Sequence, residues 1–193
     1  MTRGRLEAFS DGVLAVIITI MVLELKVPHG GDLRALHGML PGFLGYVLSF
    51  VYVGIYWNNH HHLMHATRRI SGSVMWANLH LLFWLSLVPA STGWVGENPS
   101  APWPTALYGA ILLMAALAWL VLERRIIAVN GEDSELAQAV RHGTKENVSP
   151  VLYASAIGLS FVRPWIADVL YTVVALLWIV PDRRIEAKVG EDR

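Results

Sequence analysis

The sequence predicts an all-α polytopic membrane protein with six transmembrane helices, and three observations lead there. Hydrophobic residues make up 54% of the 193 and charged residues only 16%, where a soluble domain carries about 25% charged residues. Mean hydropathy is +0.46. The apolar residues also gather in blocks, and crossing a hydrocarbon core of about 30 Å takes about 20 mostly apolar residues in helix. A chain of this length holds one domain or two very small ones, and residues 1–193 read as a single transmembrane domain. Basic and acidic residues number 15 each, so there is no basic excess of the kind a nucleic-acid partner leaves. The absence of cysteine excludes disulfides, thiolate metal sites and cysteine nucleophiles.

The blocks fall in order along the chain. The first runs from about Phe9 to Val27, the second from about Gly38 to His60, the third from about Val74 to Val95 and the fourth from about Pro102 to Ile127. The fifth and sixth, about Asn147 to Val162 and Pro164 to Val180, are shorter and form a hairpin turned at Arg163 and Pro164. The basic start MTRGR followed by an apolar run imitates a signal peptide. Glu7 and Asp11, and the lack of a small-residue cleavage site before Pro28, argue against one. Gly38 and Gly42 are spaced for close helix approach, Pro150 suits the start of the fifth helix, and the polar stretch from Asn130 to Glu146 reads as a short loop with a helical turn or two.

Orientation follows from the basic residues, because cytoplasmic loops retain Lys and Arg. Six spans place Arg3, Arg5, Arg68, Arg69, Arg124, Arg125, Arg141, Lys145, Arg183, Arg184, Lys188 and Arg193 on one side, and only Lys26, Arg34 and Arg163 on the other. Both termini are therefore expected in the cytoplasm. Trp57, Trp94, Trp103 and Trp165 lie near span ends, as interfacial anchors do.

Chemistry concentrates at the cytoplasmic end of the first three spans. The first opens with RLEAFSDG, placing Asp11 at the bilayer boundary, where an unpaired charge costs about 2.5–3.5 kcal/mol on insertion scales. Two roles are open to Ser10 and Asp11: capping the helix start or joining a functional polar network. The second span ends in YWNNHHHLMH, placing Asn58, Asn59, His60, His61, His62 and His65 at the same depth, and the third opens with Trp76, Asn78 and His80. Polar groups in lipid need internal partners, so a shared network, with a histidine bonded to Asp11, is expected. His61 and His65, one turn apart, would also suit a divalent metal, but interfacial histidines more often form a hydrogen-bonding edge, and no metal is expected. Further along the first helix, Val16, Thr19, Ile20 and Leu23 share one face. That stripe fits simple packing, and it also fits a pore constriction that gates by dewetting. No nucleophile-base constellation, Gly-rich phosphate loop or TVGYG filter occurs, and no enzyme activity or bound cofactor is expected.

RLEAFSDGVLAVIITIMVLEL, with Arg5, Phe9, Ser10 and Asp11 at its core, resembles the first helix of the transmembrane protein 175 family, and IYWNNHHHL and WANLHLLFWLSLVP continue the resemblance through spans two and three. It implies a prokaryotic, single-repeat member: a potassium-permeable cation channel without the usual filter loop. The first helix would line the pore, with apolar constrictions at Val16, Ile20 and Leu23 beside Thr19. Arg5, Phe9, Ser10 and Asp11 would brace that helix in a network drawn from His60, His61, Trp76 and Asn78. Val16 is shorter than the Ile or Leu common at the narrowest family position. Two-repeat animal members dimerise, so a one-repeat chain implies a homotetramer in the prokaryotic inner membrane, with closed cyclic symmetry. Potassium would be the permeant ion and the lipid bilayer the surroundings. The competing readings are a proton-coupled transporter using Asp11 and nearby histidines, and a membrane metalloenzyme built on His60, His61, His65 and His80.

Overall fold

The computed structural model describes residues 2–28, 30, 33–131 and 144–179. Arg141, Arg183, Arg184, Lys188 and Arg193, most of the expected loop between spans four and five, and the side chain of Arg34 lie outside the described residues. Among those described, the secondary structure is helical: α1 Arg3–Leu23, α2 Leu33–His65, α3 Gly72–Ser86, α4 Val88–Glu97, α5 Pro102–Asn130, α6 Thr144–Ser160 and α7 Pro164–Ile179.

The helices overrun the apolar blocks in informative ways. α1 begins six residues before Phe9, carrying Arg3, Arg5 and Glu7 into its first turns, and stops at Leu23 ahead of Pro28. At 1.5 Å per residue the 33 residues of α2 span about 50 Å, so its ends project beyond any hydrocarbon layer, and Pro41 is accommodated inside it. The third span is two helices. Pro89, in the first turn of α4, has no N–H to give, and its ring would crowd the Leu85 carbonyl of a continuous helix. The chain breaks at Leu87, whose N–H turns to the Trp84 carbonyl at 3.2 Å. Ser71 caps the start of α3, accepting from the Val74 N–H.

Among the described residues four spans are long and apolar enough to cross a membrane: α1, Leu36–His65 within α2, α3 with α4, and α5. The last two helices, of 17 and 16 residues, rise only about 25 Å each and form the expected hairpin through Phe161, Val162 and Arg163. Pro150 does not start α6. The polar turn at Thr144 to Glu146 does, and Pro150 lies inside the helix, leaving the Glu146 carbonyl without its usual i+4 donor.

α5 is the hub, packed most extensively on α3 and α6, with Leu112, Ala115, Ala118, Leu122 and Ile126 along its buried face. Small residues set two close approaches. Gly42 meets Gly96 of α4, where a Cβ on Gly96 would come within 3.0 Å of the Gly42 Cα, whereas Gly38, expected to share that role, has nothing within 4 Å. At Gly109 a Cβ would collide with the Tyr171 hydroxyl and meet Ile157 at 3.0 Å. That hydroxyl crosses from α7 to donate to the Thr105 carbonyl at 3.1 Å, fastening the short hairpin to α5. Gly109→Ala should therefore lower stability by about 1–3 kcal/mol, as overpacking does, while Gly54→Ala, with open space around it, should not. Thermal unfolding of the purified variants in detergent checks this, and a Gly109→Ala melt equal to the parent's would contradict it.

Candidate functional site: the polar end of the first three helices

α1 has two unlike faces. Leu6, Ser10, Leu14, Ile17 and Met21 recur at steps of three and four and are its buried residues, packed against the core with Ile18 on the flank. The only polar member, Ser10, is fully buried and sits in a directional chain of hydrogen bonds. Its hydroxyl donates to the Leu6 carbonyl at 2.9 Å and accepts from the Asn78 amide of α3 at 2.9 Å. With that amide nitrogen committed, the Asn78 oxygen faces His60 Nε2 of α2 at 2.8 Å, so Nε2 is the donor. Three helices are thereby tied by one relay running His60, Asn78, Ser10, Leu6. His60 Nδ1 stays buried without a partner.

A second set of contacts runs beside the relay, at the same end of α1 and α2. Arg3 donates to the His65 carbonyl at 3.2 Å, Glu7 meets His61 Nδ1 at 2.9 Å, and the Trp57 indole donates to Asp11 at 3.1 Å. Going up α1 by four residues goes down α2 by four, as two antiparallel helices in contact require. His61 stacks between Trp57 and His65, with ring centroids 6.5 and 5.5 Å away. The expected histidine bond to Asp11 is thus made by Trp57, because His61 lies one turn nearer the end of α2 and reaches Glu7. Arg3, Glu7, Trp57 and His65 were not expected as partners. Their common spacing, 3-7-11 against 57-61-65, was the available signal.

The motif residues therefore divide. Ser10 and Asp11 turn into the protein, while Arg5 and Phe9 are exposed on the face that continues through Val16, Ile20 and Leu23 at helical spacing. Trp76 is 74% exposed and is not joined to the relay. Val16 and Leu23 are 57% and 76% exposed, Ile20 is exposed too, and the Thr19 hydroxyl is spent on the Ala15 carbonyl of its own helix.

The four histidines of the metalloenzyme reading do not converge: His60 is held by Asn78, His61 by Glu7 and His80 by the Trp84 indole at 3.0 Å. Among the described residues no three of His, Cys, Asp or Glu group as metal ligands.

Removing Asn78 strands a buried histidine donor, at about 1–3 kcal/mol for an unsatisfied group, and also takes away the donor that buried Ser10 accepts from. Losing the more exposed Trp57 to Asp11 bond costs less. Asn78→Ala should accordingly lower the melting temperature of the purified protein further than Asp11→Ala. The reverse order would sink the relay as the principal brace.

Residues 5–89, which span α1, α2, α3 and the first turn of α4, match the family model described as endosomal/lysosomal potassium channel TMEM175. Over its whole length the chain is 54% identical to a potassium channel of a Chryseobacterium species, covering all of both chains. The crystal structure of a lysosomal potassium-selective channel TMEM175 homolog from Chamaesiphon minutus superposes with a TM-score of 0.81 at 29% identity, over 92% of this chain and 96% of that one. An aligned stretch is 37% identical to the human endosomal/lysosomal proton channel TMEM175, covering 35% of this chain and 17% of the human one. Shared length, shared fold and the match of residues 5–89 to the family model together place the chain in the TMEM175 family.

Proposed function

We propose that the chain forms a potassium-permeable channel of the prokaryotic inner membrane, assembled as a homotetramer around α1, with both termini in the cytoplasm and residues 1–193 acting as one channel domain. The observation that carries this reading is the two-faced first helix. One face is tied down by the Ser10 relay. The other, left uncovered by the chain's own helices, presents Arg5, Phe9, Val16, Thr19, Ile20 and Leu23. An uncovered apolar stripe suits either lipid or copies of itself around a central pore, and the full-length relatives named as channels favour the pore. The names of the full-length relatives support potassium as the permeant ion.

On this reading Val16, Ile20 and Leu23 form stacked apolar rings that offer no oxygen to replace an ion's hydration shell. Potassium, which holds water less tightly than sodium, passes a narrow ring at lower cost, and a ring too narrow to stay wet closes the pore. Ser10, Asp11, His60, His61 and Asn78 are bracing residues within the chain, exposed Arg5, Phe9 and Trp76 brace it through subunit contacts, and none of the eight is an ion ligand. Because the vertebrate relatives are named proton channels, proton permeation is the second reading. A transporter relay through Asp11 and the histidines finds less support, since Asp11 is bonded to Trp57 and His60 to Asn78.

Flux from liposomes with potassium, sodium and proton gradients compared tests the proposal. Ile20→Ala and Leu23→Ala should raise potassium flux, Val16→Ala should also erode preference over sodium, and Ile18→Ala, packed on the other side, should do neither at matched incorporation. Selectivity altered by Ile18→Ala alone would remove α1 from the pore. Native mass measurement of the purified protein should give four chains per particle; a monomer or dimer would defeat the tetramer.

A further inference from the structure

A second polar cluster, away from the relay, joins α5 to α6. Glu123 is 5% exposed, in the last third of α5. The indole of Trp119, one turn earlier, donates to its Oε1 at 2.6 Å, and its Oε2 is buried with no partner. Glu146, in the first turn of α6, likewise has a buried Oε2 without a partner. Trp119 and Glu146 line one small cavity of about 30 Å³ with Tyr56, Asn59, Ser149 and Trp178, room for about one or two waters. The charged groups acting on Glu123 are Glu146 and the adjacent Arg124, and Arg124 is exposed.

Two neighbouring carboxylates whose Oε2 atoms are both shut off from solvent and from hydrogen-bond donors are costly to keep ionised together without a cation between them. Among the described residues no third His, Asp or Glu joins the two acids to make a metal site. A proton needs only two. We infer that Glu123 and Glu146 form a proton-binding site that shares one proton across the α5–α6 contact, with Glu123 Oε2 carrying it and donating to Glu146, directly or through one water. The assignment of donor and acceptor follows from the surroundings. Glu146 sits at a helix start, where the free N–H groups and the helix dipole favour an anion. Glu123 has one neutral indole donor and no such field.

The other titratable groups around the pair do not replace the proton. Tyr52 and Tyr56 of α2 and Tyr153 of α6 are neutral phenols near pH 7, and the Tyr52 hydroxyl is committed to the Tyr171 carbonyl. His60 of α2 is bonded to Asn78, and His80, the titratable side chain of α3, to Trp84. Lys145 precedes Glu146 on α6 and has interactions of its own. α7 contributes Trp178, whose indole donates to Ser149 at 2.9 Å. The result is a proton-held latch that fixes the first turn of α6 against α5.

Infrared spectroscopy of the full chain in lipid tests the site without any flux measurement. At pH 7 the parent should show a protonated-carboxyl band that shifts in deuterium oxide and is lost in Glu123→Gln. In Glu146→Gln the band should move, because the O–H loses its anionic acceptor, and it should disappear at a pH lower by about one unit or more, because ionising Glu123 no longer opposes a neighbouring charge. Absence of the band in the parent would mean that both groups are ionised and that another cation holds them, and the proposal falls. A band whose frequency and midpoint are the same in Glu146→Gln would mean that Glu123 is neutral through burial alone, and sharing falls. These arms need only the parent and the Glu146 variant, so a Glu123→Gln chain that fails to fold leaves the test intact.

Discussion

The rotation of α1 about its own axis is the quantity on which the rest of this structure depends, and it is set by the need to satisfy polar groups where water is scarce. A membrane helix of apolar residues can turn freely against its neighbours at small cost, since lipid tails and leucines are equally apolar surroundings. Ser10 removes that freedom. Its hydroxyl is fully buried and its partner Asn78 sits on another helix, so a rotation that withdrew it would leave the buried Asn78 amide without its acceptor. The ladder from Arg3, Glu7 and Asp11 to His65, His61 and Trp57 fixes the remaining coordinate, the sliding of α1 along α2. With both set, the stripe of Val16, Ile20 and Leu23 has a defined direction.

The other helices supply a rigid wall behind that brace. α5 spans the full layer and buries one side along most of its length, while the break at Leu87 lets α3 and α4 follow different courses and brings Thr92 to Ser49 at 2.7 Å, with Tyr108 bonded to the same serine at 3.0 Å. That hydroxyl group of three joins α2, α4 and α5. Hydrogen bonds of this kind matter in lipid because they hold geometry that apolar packing alone leaves loose. The short hairpin of α6 and α7 then leans on α5 through Tyr171 and Gly109, which compensates for helices too short to be well anchored by the bilayer.

Much of this was legible in the residues. Apolar block length located the four helices that, among the described residues, are long enough to cross a membrane, because the cost of an unsatisfied backbone in lipid leaves helix as the one available structure for such runs. The convergence of Ser10, His60 and Asn78 was also readable, from their common depth. What depth alone does not give is azimuth: Trp57 and not a histidine reaches Asp11, and Glu7 takes His61, because partners on crossing helices are chosen by the helical phase of each. The break at Leu87 was present as Pro89 but is invisible to hydropathy, which stays apolar across it. Pro150 misled for the opposite reason, since a proline suits a helix start and is also tolerated inside one when nearby groups absorb the lost bond. Glu123 escaped notice because a lone acid beside Arg124 and Arg125 reads as part of a solvated charged run, and only tertiary packing reveals it as buried.

The separation of the motif into inward Ser10 and Asp11 and outward Arg5 and Phe9 gives a physical reason for its compactness. Residues four apart lie on one face, and those one apart diverge by about 100°, so adjacent Phe9 and Ser10 look toward different neighbours. One short segment can then serve two interfaces, the internal brace through Ser10 and Asp11 and, on the proposed assembly, the contact between subunits through Arg5 and Phe9. Coupling between them is mechanical. A change at the subunit contact that tilts α1 must either strain the Ser10 relay or carry α2 and α3 with it, and every ring along the stripe moves by an amount set by its distance from that anchor. Val16 is less than two turns above Ser10 and Leu23 nearly four, so Leu23 swings farthest. In the proposed pore, the ring best placed to open and close would be the one farthest from the brace, and the ring best placed to keep a constant radius would be that of Val16.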